Sequence, residues 1–276
     1  MIPKLITIDL DGTLLKDDCT ISPRTRDAIL TCMDTTGILF VPCTGRSYEN
    51  SLFVLRDFPR FPYYINANGT TVTDGASGTL MYASTLPLET GQEIYSLARQ
   101  YQTFIEIYHG LTAYDSAIGR KNLRRSACTQ DYIEQLLHTN AHLEDLDPFV
   151  YEEKQPISKF HIVCVDPEER LELKSRLAEL PGVFPISTTE FNIEICCKGW
   201  SKRDGLQKLC DTIKITPDQV AALGDSENDY EMIQWAGQGI AMGNAADKVK
   251  AAAGFVTGSN EEDGIVDALK YLGVLK

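Results

Sequence analysis

The fold is decided by Lys4-Leu5-Ile6-Thr7-Ile8-Asp9-Leu10-Asp11-Gly12-Thr13-Leu14. Its first half is apolar and rich in isoleucine and leucine, which is typical of a strand buried on both faces of a parallel sheet. The run ends in Asp9 and Asp11, and burying two unpaired carboxylates costs too much free energy to be a packing choice. Open α/β sheets bind ligands at the carboxyl ends of their strands, and Gly12 would let the chain turn sharply there. Taken alone, the stretch favours a simpler interpretation, a turn whose aspartates accept hydrogen bonds from nearby amides.

The composition is that of an ordinary globular protein. The 276 residues are 43% hydrophobic and 24% charged, which is enough for one large domain or two modest ones. Met1-Ile2-Pro3-Lys4 leads into the first strand without a basic and then apolar leader, and no apolar run approaches the roughly 18 residues of a membrane span. The eight cysteines have no Cys-x-x-Cys spacing, which favours reduced thiols over disulfides or zinc ligands. We therefore expect a soluble, cytoplasmic protein with no membrane partner.

The net charge limits the partners further. At −13, with a pI near 4.8, the chain has no general attraction for nucleic acid or anionic lipid. The densest basic stretch, Arg120-Lys121-Asn122-Leu123-Arg124-Arg125, is short and lacks aromatic residues, so a solvated face is its favoured interpretation. We expect no nucleic-acid partner, and an anionic substrate would have to be held by local groups.

A second motif follows the next predicted strand. A helix beginning at Ser22-Pro23 and ending at Gly37 would return the chain to a strand over residues 38–41. That strand ends in Pro42-Cys43-Thr44-Gly45-Arg46, where a hydroxyl, a flexible backbone and a guanidinium suit phosphate binding. Alone, this motif favours a plain turn. The third run, residues 63–67, ends in Asn68-Gly69, a strong hairpin signal, although Asn68 would lie at the same strand end as the other motifs.

From about Tyr82 the pattern changes to helices with one apolar stripe and strands that alternate apolar and polar residues. This predicts a second domain, an antiparallel sheet covered by helices on one face, with strands near residues 104–108, 111–114, 158–165 and 191–195. The residues predicted on its opposite face are Glu106, Tyr108, Lys159, His161, Asn192 and Glu194. They either face solvent or contact the substrate. His138 and His142 are four apart and could share a metal on a helix face, but a solvated helix end is favoured.

The C-terminal part carries two more motifs. Ser201 and Asp204 have capping-box spacing, so Lys202 falls in the first turn of a helix, where a cation opposes the helix dipole unless an anion is nearby. The apolar strand at residues 219–223 runs directly into Gly224-Asp225-Ser226-Glu227-Asn228-Asp229-Tyr230-Glu231-Met232. Four acids and an amide within seven residues favour a divalent cation over an ordinary helix cap with an acidic first turn.

In this order, the four motifs resemble the haloacid dehalogenase superfamily of aspartate-nucleophile phosphatases. The motifs that carry the resemblance are Asp9-x-Asp11-Gly12-Thr13, Thr44-Gly45-Arg46, Lys202 and Gly224-Asp225-x-x-Asn228-Asp229. The long insertion between the second and third motifs is similar to the class II cap of the Cof-type sugar-phosphate phosphatase branch. The resemblance implies an α/β fold, with a Rossmann-like doubly wound parallel sheet core and an inserted α+β cap domain. The predicted limits are 1–82 and 195–276 for the core and 83–194 for the cap.

Phosphoryl transfer assigns roles to these residues. Asp9 is the predicted nucleophile, which forms an aspartyl-phosphate, and Asp11 is the predicted acid and base. Lys202 would offset the negative charge. The predicted phosphate- and substrate-binding residues are Leu10, Gly12, Thr44, Gly45, Arg46, Lys202 and Asn228. The predicted cofactor is Mg²⁺, held by Asp9, Asp225 and the backbone carbonyl of Asp11, with Asp229 behind them.

The predicted function is the magnesium-dependent hydrolysis of a small phosphorylated metabolite, with a sugar phosphate favoured, by a monomer or weak homodimer. Two alternatives stay open: a phosphomutase or phosphotransferase on the same fold, and a non-catalytic module that binds sugar phosphates. The core motifs contact only the phosphoryl group. We therefore expect the insertion to close over the site, exclude water and choose the substrate.

Overall fold

The computed structural model describes residues 2–187, 189–197 and 199–275. Within these ranges the chain forms two compact units. The first unit contains residues 1–46, 54–82 and 201–276, and the second contains residues 47–53 and 83–200. None of the helices in the described part is both long enough and apolar enough to cross a bilayer.

The described residues form thirteen strands and ten α-helices. The strands are β1 (Leu5–Ile8), β2 (Leu39–Pro42), β3 (Tyr63–Asn66), β4 (Thr71–Asp74), β5 (Thr79–Ala83), β6 (Thr103–His109), β7 (Thr112–Ser116), β8 (Ala141–Leu143), β9 (Lys159–Cys164), β10 (Asn192–Cys196), β11 (Val220–Gly224), β12 (Gln238–Ala241) and β13 (Phe255–Val256). The helices are α1 (Pro23–Thr36), α2 (Tyr48–Val54), α3 (Leu88–Ala98), α4 (Ala117–Leu123), α5 (Gln130–Thr139), α6 (Pro167–Ala178), α7 (Lys202–Ile213), α8 (Tyr230–Trp235), α9 (Asp247–Ala252) and α10 (Gly264–Tyr271).

The first unit is built on a parallel sheet with the strand order β13-β12-β11-β1-β2. Strand β1 pairs in parallel with both β11 and β2, and all four of its residues are buried, as its apolar sequence predicts. The carboxyl ends of β1, β2 and β11 therefore lie at one edge of the sheet, directly before three of the motifs. Strand β3, the third apolar run of the sequence, pairs with β4 in the predicted antiparallel hairpin. It contacts the end of β2 through a parallel bridge between Cys43 and Ile65.

Two glycines allow helix α7 to approach the hairpin turn at residues 67–69. A Cβ atom on Gly69 would lie 2.2 Å from the carbonyl oxygen of Ser201, and one on Gly205 would lie 2.5 Å from the carbonyl oxygen of Gly69. Any side chain at either position would push the two backbones apart. This contact fixes the start of α7, and with it Lys202, against the turn that follows β3.

The second unit is built on a sheet with the order β10-β9-β6-β7-β8, antiparallel except for the parallel pair of β7 and β8. Helices α3 and α6 pack on one face, where Ile94 and Leu173 join the apolar side of the strands. The prediction of helices on one face only is wrong in that detail. Helices α4 and α5 pack against Phe104 and Val163 on the opposite face, because these two positions interrupt its polar residues with apolar ones.

Two further predictions concern limits of elements. The second compact unit ends at Trp200 and includes residues 47–53. The domain limits 1–82, 83–194 and 195–276 stay a prediction. The alternative that was not favoured, a helix face shared by His138 and His142, is wrong, because α5 ends at Thr139 and only His138 belongs to it. His142 lies in β8 and contacts the carboxylate of Asp115 at 3.0 Å through Nδ1.

Candidate active site

Lys202 is held between two buried carboxylates. Asp9 follows β1, and Lys202 is the first residue of α7, behind a capping box in which the carboxylate of Asp204 accepts a hydrogen bond from the backbone N–H of Ser201. Lys202 Nζ lies 2.7 Å from Asp9 Oδ1 and 2.6 Å from Asp229 Oδ1. All three side chains are buried. The predicted lysine therefore finds the anionic partners that its place in a first helical turn requires.

Asp229 is fixed by the strand end that precedes it. Its Oδ2 accepts hydrogen bonds from the backbone N–H groups of Asp225 and Ser226, both at 3.0 Å. A Cβ atom on Gly224 would lie 2.4 Å from the Asp229 carboxyl carbon, so only glycine fits there. Asp229 thus uses one oxygen for Lys202 and the other for the backbone. Its place behind the metal ligands stays a prediction.

Asp225 is held by two hydroxyls. Thr13 donates to its Oδ1 at 2.8 Å, and Ser226 donates to its Oδ2 at 3.1 Å. Gly12 has a φ of 74°, and a Cβ atom there would lie 2.6 Å from Asp225 Oδ2. Gly12 is therefore required both for its left-handed backbone and for the space that Asp225 occupies.

Asp9, Asp225 and Asp229 form one acidic cluster. Each contributes an oxygen that lies within 4.8 Å of the other two, and this is the sole group of potential metal ligands of this kind among the described residues. Burial, and next the charge of Asp229, raise the pKa of Asp9 well above its ordinary value, although Lys202 opposes this. Burial and Asp229 also raise the pKa of Asp225 to about 6. Burial opposes the charge of Lys202, but the carboxylates of Asp229 and Asp9 outweigh it and raise its pKa.

The donor set fits a hard divalent cation. Three carboxylates against one ammonium leave the cluster with a net negative charge when all are ionised, and the raised carboxyl pKa values reflect that crowding. The ligand atoms offered are all oxygens, which suits magnesium better than zinc. The site therefore meets the chemical requirement for the predicted cofactor.

Asp11 and Arg46 form a separate ion pair beside this cluster. Arg46 Nε donates to Asp11 Oδ2 at 2.7 Å, and Arg46 Nη2 contacts Asp11 Oδ1. The Asp11 side chain is 54% exposed, whereas that of Arg46 is 8% exposed. The sequence predicts that Arg46 binds phosphate; two of its donors are directed at Asp11, and phosphate binding by Arg46 stays a prediction.

The remaining predicted phosphate-binding residues lie in the same unit. Thr44 is buried, and its Oγ1 accepts a hydrogen bond from the backbone N–H of Arg46 at 3.2 Å. Asn228 Nδ2 donates to Asn68 Oδ1 at 3.2 Å, while Asn228 Oδ1 is a buried acceptor for which the described residues supply no donor. Leu10 is buried between the two aspartates. Phosphate binding by these residues, and by Gly12 and Gly45, stays a prediction.

Sequence reasoning missed three residues that support the site. Thr13 and Ser226 lie inside the quoted motifs, but their hydroxyls were not assigned to Asp225. Asn68 was noted at the right strand end and interpreted as a hairpin residue, which it also is, with a left-handed φ of 56°. Its contact with Asn228 spans 160 positions of sequence, so spacing alone could not reveal it.

Comparison with known proteins identifies similar chains. The family model for haloacid dehalogenase-like hydrolases matches residues 6–269. Phosphatase YwpJ of Bacillus subtilis (strain 168) is 28% identical, over 98% of this chain and 99% of that protein. The 5-amino-6-(5-phospho-D-ribitylamino)uracil phosphatase YwtE of the same organism is 31% identical, over 95% of each chain. A solved haloacid dehalogenase-like hydrolase from B. subtilis superposes with a TM-score of 0.83 at 27% identity, covering 98% of this chain and 99% of that one.

Proposed function

Because the chain belongs to the haloacid dehalogenase-like hydrolase family, and the relatives named above are phosphatases, we propose that it hydrolyses small phosphomonoesters with magnesium through an aspartyl-phosphate on Asp9. The family and the enzyme class, phosphoric monoester hydrolase, are confirmed predictions. The metal, the intermediate and the substrate are the proposal.

The placement of Lys202 supports this proposal most strongly. A nucleophilic carboxylate must be ionised, yet burial beside other acids favours the protonated form. The ammonium group 2.7 Å from Asp9 favours the ionised form and orients the carboxylate. A buried ion pair that served stability alone would need one acid. Here one lysine contacts Asp9 and Asp229, and Asp225 lies beside them, which is the kind of crowding found at functional sites.

The first step would transfer the phosphoryl group to the enzyme. A carboxylate oxygen of Asp9 attacks phosphorus, the bond to the leaving oxygen breaks, and Asp11 gives its proton to that oxygen. Lys202 offsets the charge of the two reacting anions. The residues proposed to hold the phosphoryl oxygens are Leu10, Gly12, Thr44, Gly45, Arg46 and Asn228.

The second step would release phosphate. Asp11, now a carboxylate, takes a proton from a water molecule, whose oxygen attacks phosphorus. The bond between Asp9 and phosphorus breaks, and the carboxylate of Asp9 is restored beside Lys202. The same carboxyl group thus acts first as an acid and then as a base, which its partial exposure to solvent permits.

Asp9 and Asp225 are proposed to hold Mg²⁺ through side-chain oxygens, and Asp11 through its backbone carbonyl. When bound, the ion neutralises negative charge on the phosphoryl group and on the surrounding acids. Thr13 and Ser226 orient the carboxylate of Asp225 for this task. Asp229 orients Lys202 and draws the Asp225 backbone into place.

For the substrate, we propose a phosphate ester of a sugar or another polyhydroxylated chain, selected by the insertion. The 31% identical relative is a phosphatase of a ribityl phosphate, a polyol ester. In the insertion, Glu106 and Glu194 both pair in register with His161, and Tyr108 pairs with Lys159, so these residues share one face of the sheet. All of these side chains are buried, so the alternative that they face solvent is wrong, and Glu106 pairs with His161 while Lys159 pairs with Glu194. Their polar atoms are of the kind that bind hydroxyl groups.

Phosphate release from a panel of esters tests the proposal. The panel contains sugar phosphates, polyol phosphates and nucleotides, and each is assayed after chelation and dialysis and again after Mg²⁺ is restored. We expect release only with Mg²⁺ and faster release from the polyhydroxylated esters, with Asp9→Asn inactive. Full activity of the metal-free protein, or Asp9→Asn activity within about tenfold of wild type, would contradict the proposal. Transfer to a second sugar without free phosphate would identify a phosphotransferase instead.

A further inference from the structure

Arg46 fixes both the position and the plane of the Asp11 carboxylate. The contacts of its Nε and Nη2 with the two carboxylate oxygens form a fork, a geometry that holds an acid more rigidly than a single hydrogen bond does. Asp11 is mostly exposed and Arg46 is buried, so the arginine is the fixed member of the pair. Where Arg46 lies therefore decides where the Asp11 carboxylate points.

The backbone of Arg46 is tied closely to its surroundings. Its carbonyl oxygen accepts a hydrogen bond from the N–H of Ala67 at 2.9 Å, and its own N–H donates to Thr44 Oγ1 at 3.2 Å. The next residue, Ser47, already caps helix α2, because its hydroxyl accepts from the N–H of Asn50 at 3.2 Å. Ser47 is the one residue between Arg46 and Tyr48, the first residue of this helix.

Helix α2 packs on helix α5 of the second unit. Asn50 Nδ2 donates to Thr139 Oγ1 at 2.9 Å, and Gln135 Nε2 donates to Asn50 Oδ1 at 3.0 Å. Both amide side chains are buried, and the rings of Phe53 and His138 lie 4.9 Å apart beside them. Residues 47–53 accordingly group with the second unit, although their place in the sequence is between two strands of the first.

The chain thus passes from the first unit to the second at the peptide bond between Arg46, which holds the Asp11 carboxylate, and Ser47. We propose that Arg46 is a positioning residue for Asp11, and that the packing of α2 on α5 sets where Arg46 holds it. A displacement of α5 would be carried by α2 to the peptide between Arg46 and Ser47, and the guanidinium group would move the carboxylate with it. The inference rests on the proposed acid–base role of Asp11, which this coupling would make dependent on the insertion.

The dependence of kcat/KM on the leaving group separates this role from a structural one. A nitrophenolate ion leaves without a proton, whereas the alkoxide of a sugar needs one from the general acid. A misplaced Asp11 therefore lowers kcat/KM, which covers the steps up to departure of the leaving group, for an alkyl phosphate and spares kcat/KM for p-nitrophenyl phosphate. The constant kcat also contains the second step, which needs Asp11 with either ester. Loss of phosphate binding, or of folded protein, slows both esters by the same factor.

The contact between α2 and α5 is tested with Asn50→Ala and Gln135→Ala, and Gln130→Ala is the control because it removes an exposed glutamine from the same helix. We expect each test variant to lower kcat/KM for an alkyl phosphate about tenfold and to change kcat/KM for p-nitrophenyl phosphate by less than about twofold. The double variant should lose no more than Asn50→Ala alone, since Asn50→Ala already removes the contact with Gln135 as well as the one with Thr139. Thermal unfolding reports whether each variant is folded. If one of the two variants does not fold, the other still tests the contact.

Arg46→Lys and Asp11→Asn complete the experiment. Arg46→Lys keeps the charge but loses the fork, so it should slow the alkyl ester at least about ten times more than the aryl ester. Equal losses on both esters would leave Arg46 as a phosphate ligand alone and overturn its positioning role. If Asp11→Asn distinguishes the esters and the variants of Asn50 and Gln135 do not, the coupling alone is overturned. If Asp11→Asn lowers kcat/KM for both esters equally, the proposed role of Asp11 as the acid fails, and the inference fails with it.

Discussion

Replacing Lys202 with methionine removes the cation that Asp9 and Asp229 share. The substitution keeps an unbranched side chain of similar volume that is one heavy atom shorter, so the packing at the start of α7 should change little. The buried carboxylates of Asp9 and Asp229 then lose the ammonium group that lies 2.7 Å from the first and 2.6 Å from the second. In the metal-free protein, the loss of stability then measures how much the site depends on this lysine.

The two distances set the size of the effect. With an effective dielectric constant of about 20, each pair is worth about 6 kcal/mol before the cost of burying the charges is subtracted. Removing one member of a buried ion pair costs about 3–5 kcal/mol in practice, because the partner is left buried and uncompensated. We expect Lys202→Met to lose about that much near pH 8. Below that pH the carboxyl groups can take up protons instead, and the loss should shrink.

The direction of the pH effect follows from linkage. Without the lysine, the folded-state pKa values of the carboxyl groups rise further above their unfolded values, so the folded state binds more protons and the stability of the variant falls as pH rises. The assay is denaturant unfolding in chelator near pH 5 and pH 8, and Lys208→Met, an exposed lysine on the same helix, is the matched control. A loss below about 1 kcal/mol near pH 8, or a loss that shrinks as pH rises, would refute this reasoning.

Three further predictions concern the metal, the turn after β1 and the insertion. Because the pKa of Asp225 is raised to about 6, protons should compete with Mg²⁺ below that pH and lower its apparent affinity by up to about tenfold per pH unit in calorimetry; a pH-independent affinity would contradict this. Gly12→Ala should weaken Mg²⁺ binding and stability, whereas Gly37→Ala, at a φ of 69° with nothing within 4 Å, should cost stability alone; equal metal affinities would contradict this. Lys159→Ala or Glu194→Ala breaks the 3.0 Å ion pair between these residues. Either change should shift relative kcat/KM among sugar phosphates several-fold and change hydrolysis of a small artificial ester little. Equal losses on the sugar phosphates and the small ester would assign these residues to folding.

The core of the site could be predicted because its signals are local. A buried strand that ends in carboxylates, a glycine behind it and a capping box before a lysine can each be seen within about ten residues of sequence, and each has one physical reason to exist. Asp9, Lys202, Asp225 and Asp229 come together as the parallel sheet requires, because the strands that carry the acids end at the same edge.

The remaining features depend on contacts that sequence spacing does not encode. Asn50 contacts Gln135 across 85 positions, so the assignment of α2 to the second unit was invisible. The helices on the second face of the insertion sheet were missed because Phe104 and Val163 lie among polar residues on that face. The fork of Arg46 on Asp11 spans 35 positions, and charge alone favoured phosphate as its partner.

The central claim is that Asp9 carries the phosphoryl group during turnover. Rapid acid quenching of the enzyme with Mg²⁺ and a p-nitrophenyl ester, followed by peptide mass spectrometry, tests it most directly, with Asp11→Asn included to slow breakdown of the intermediate. We predict a phosphorylated peptide that contains Asp9, that forms and decays at rates consistent with turnover, and that is absent from Asp9→Asn. Turnover without any phosphorylated peptide, or phosphorylation at a different residue, would contradict the account.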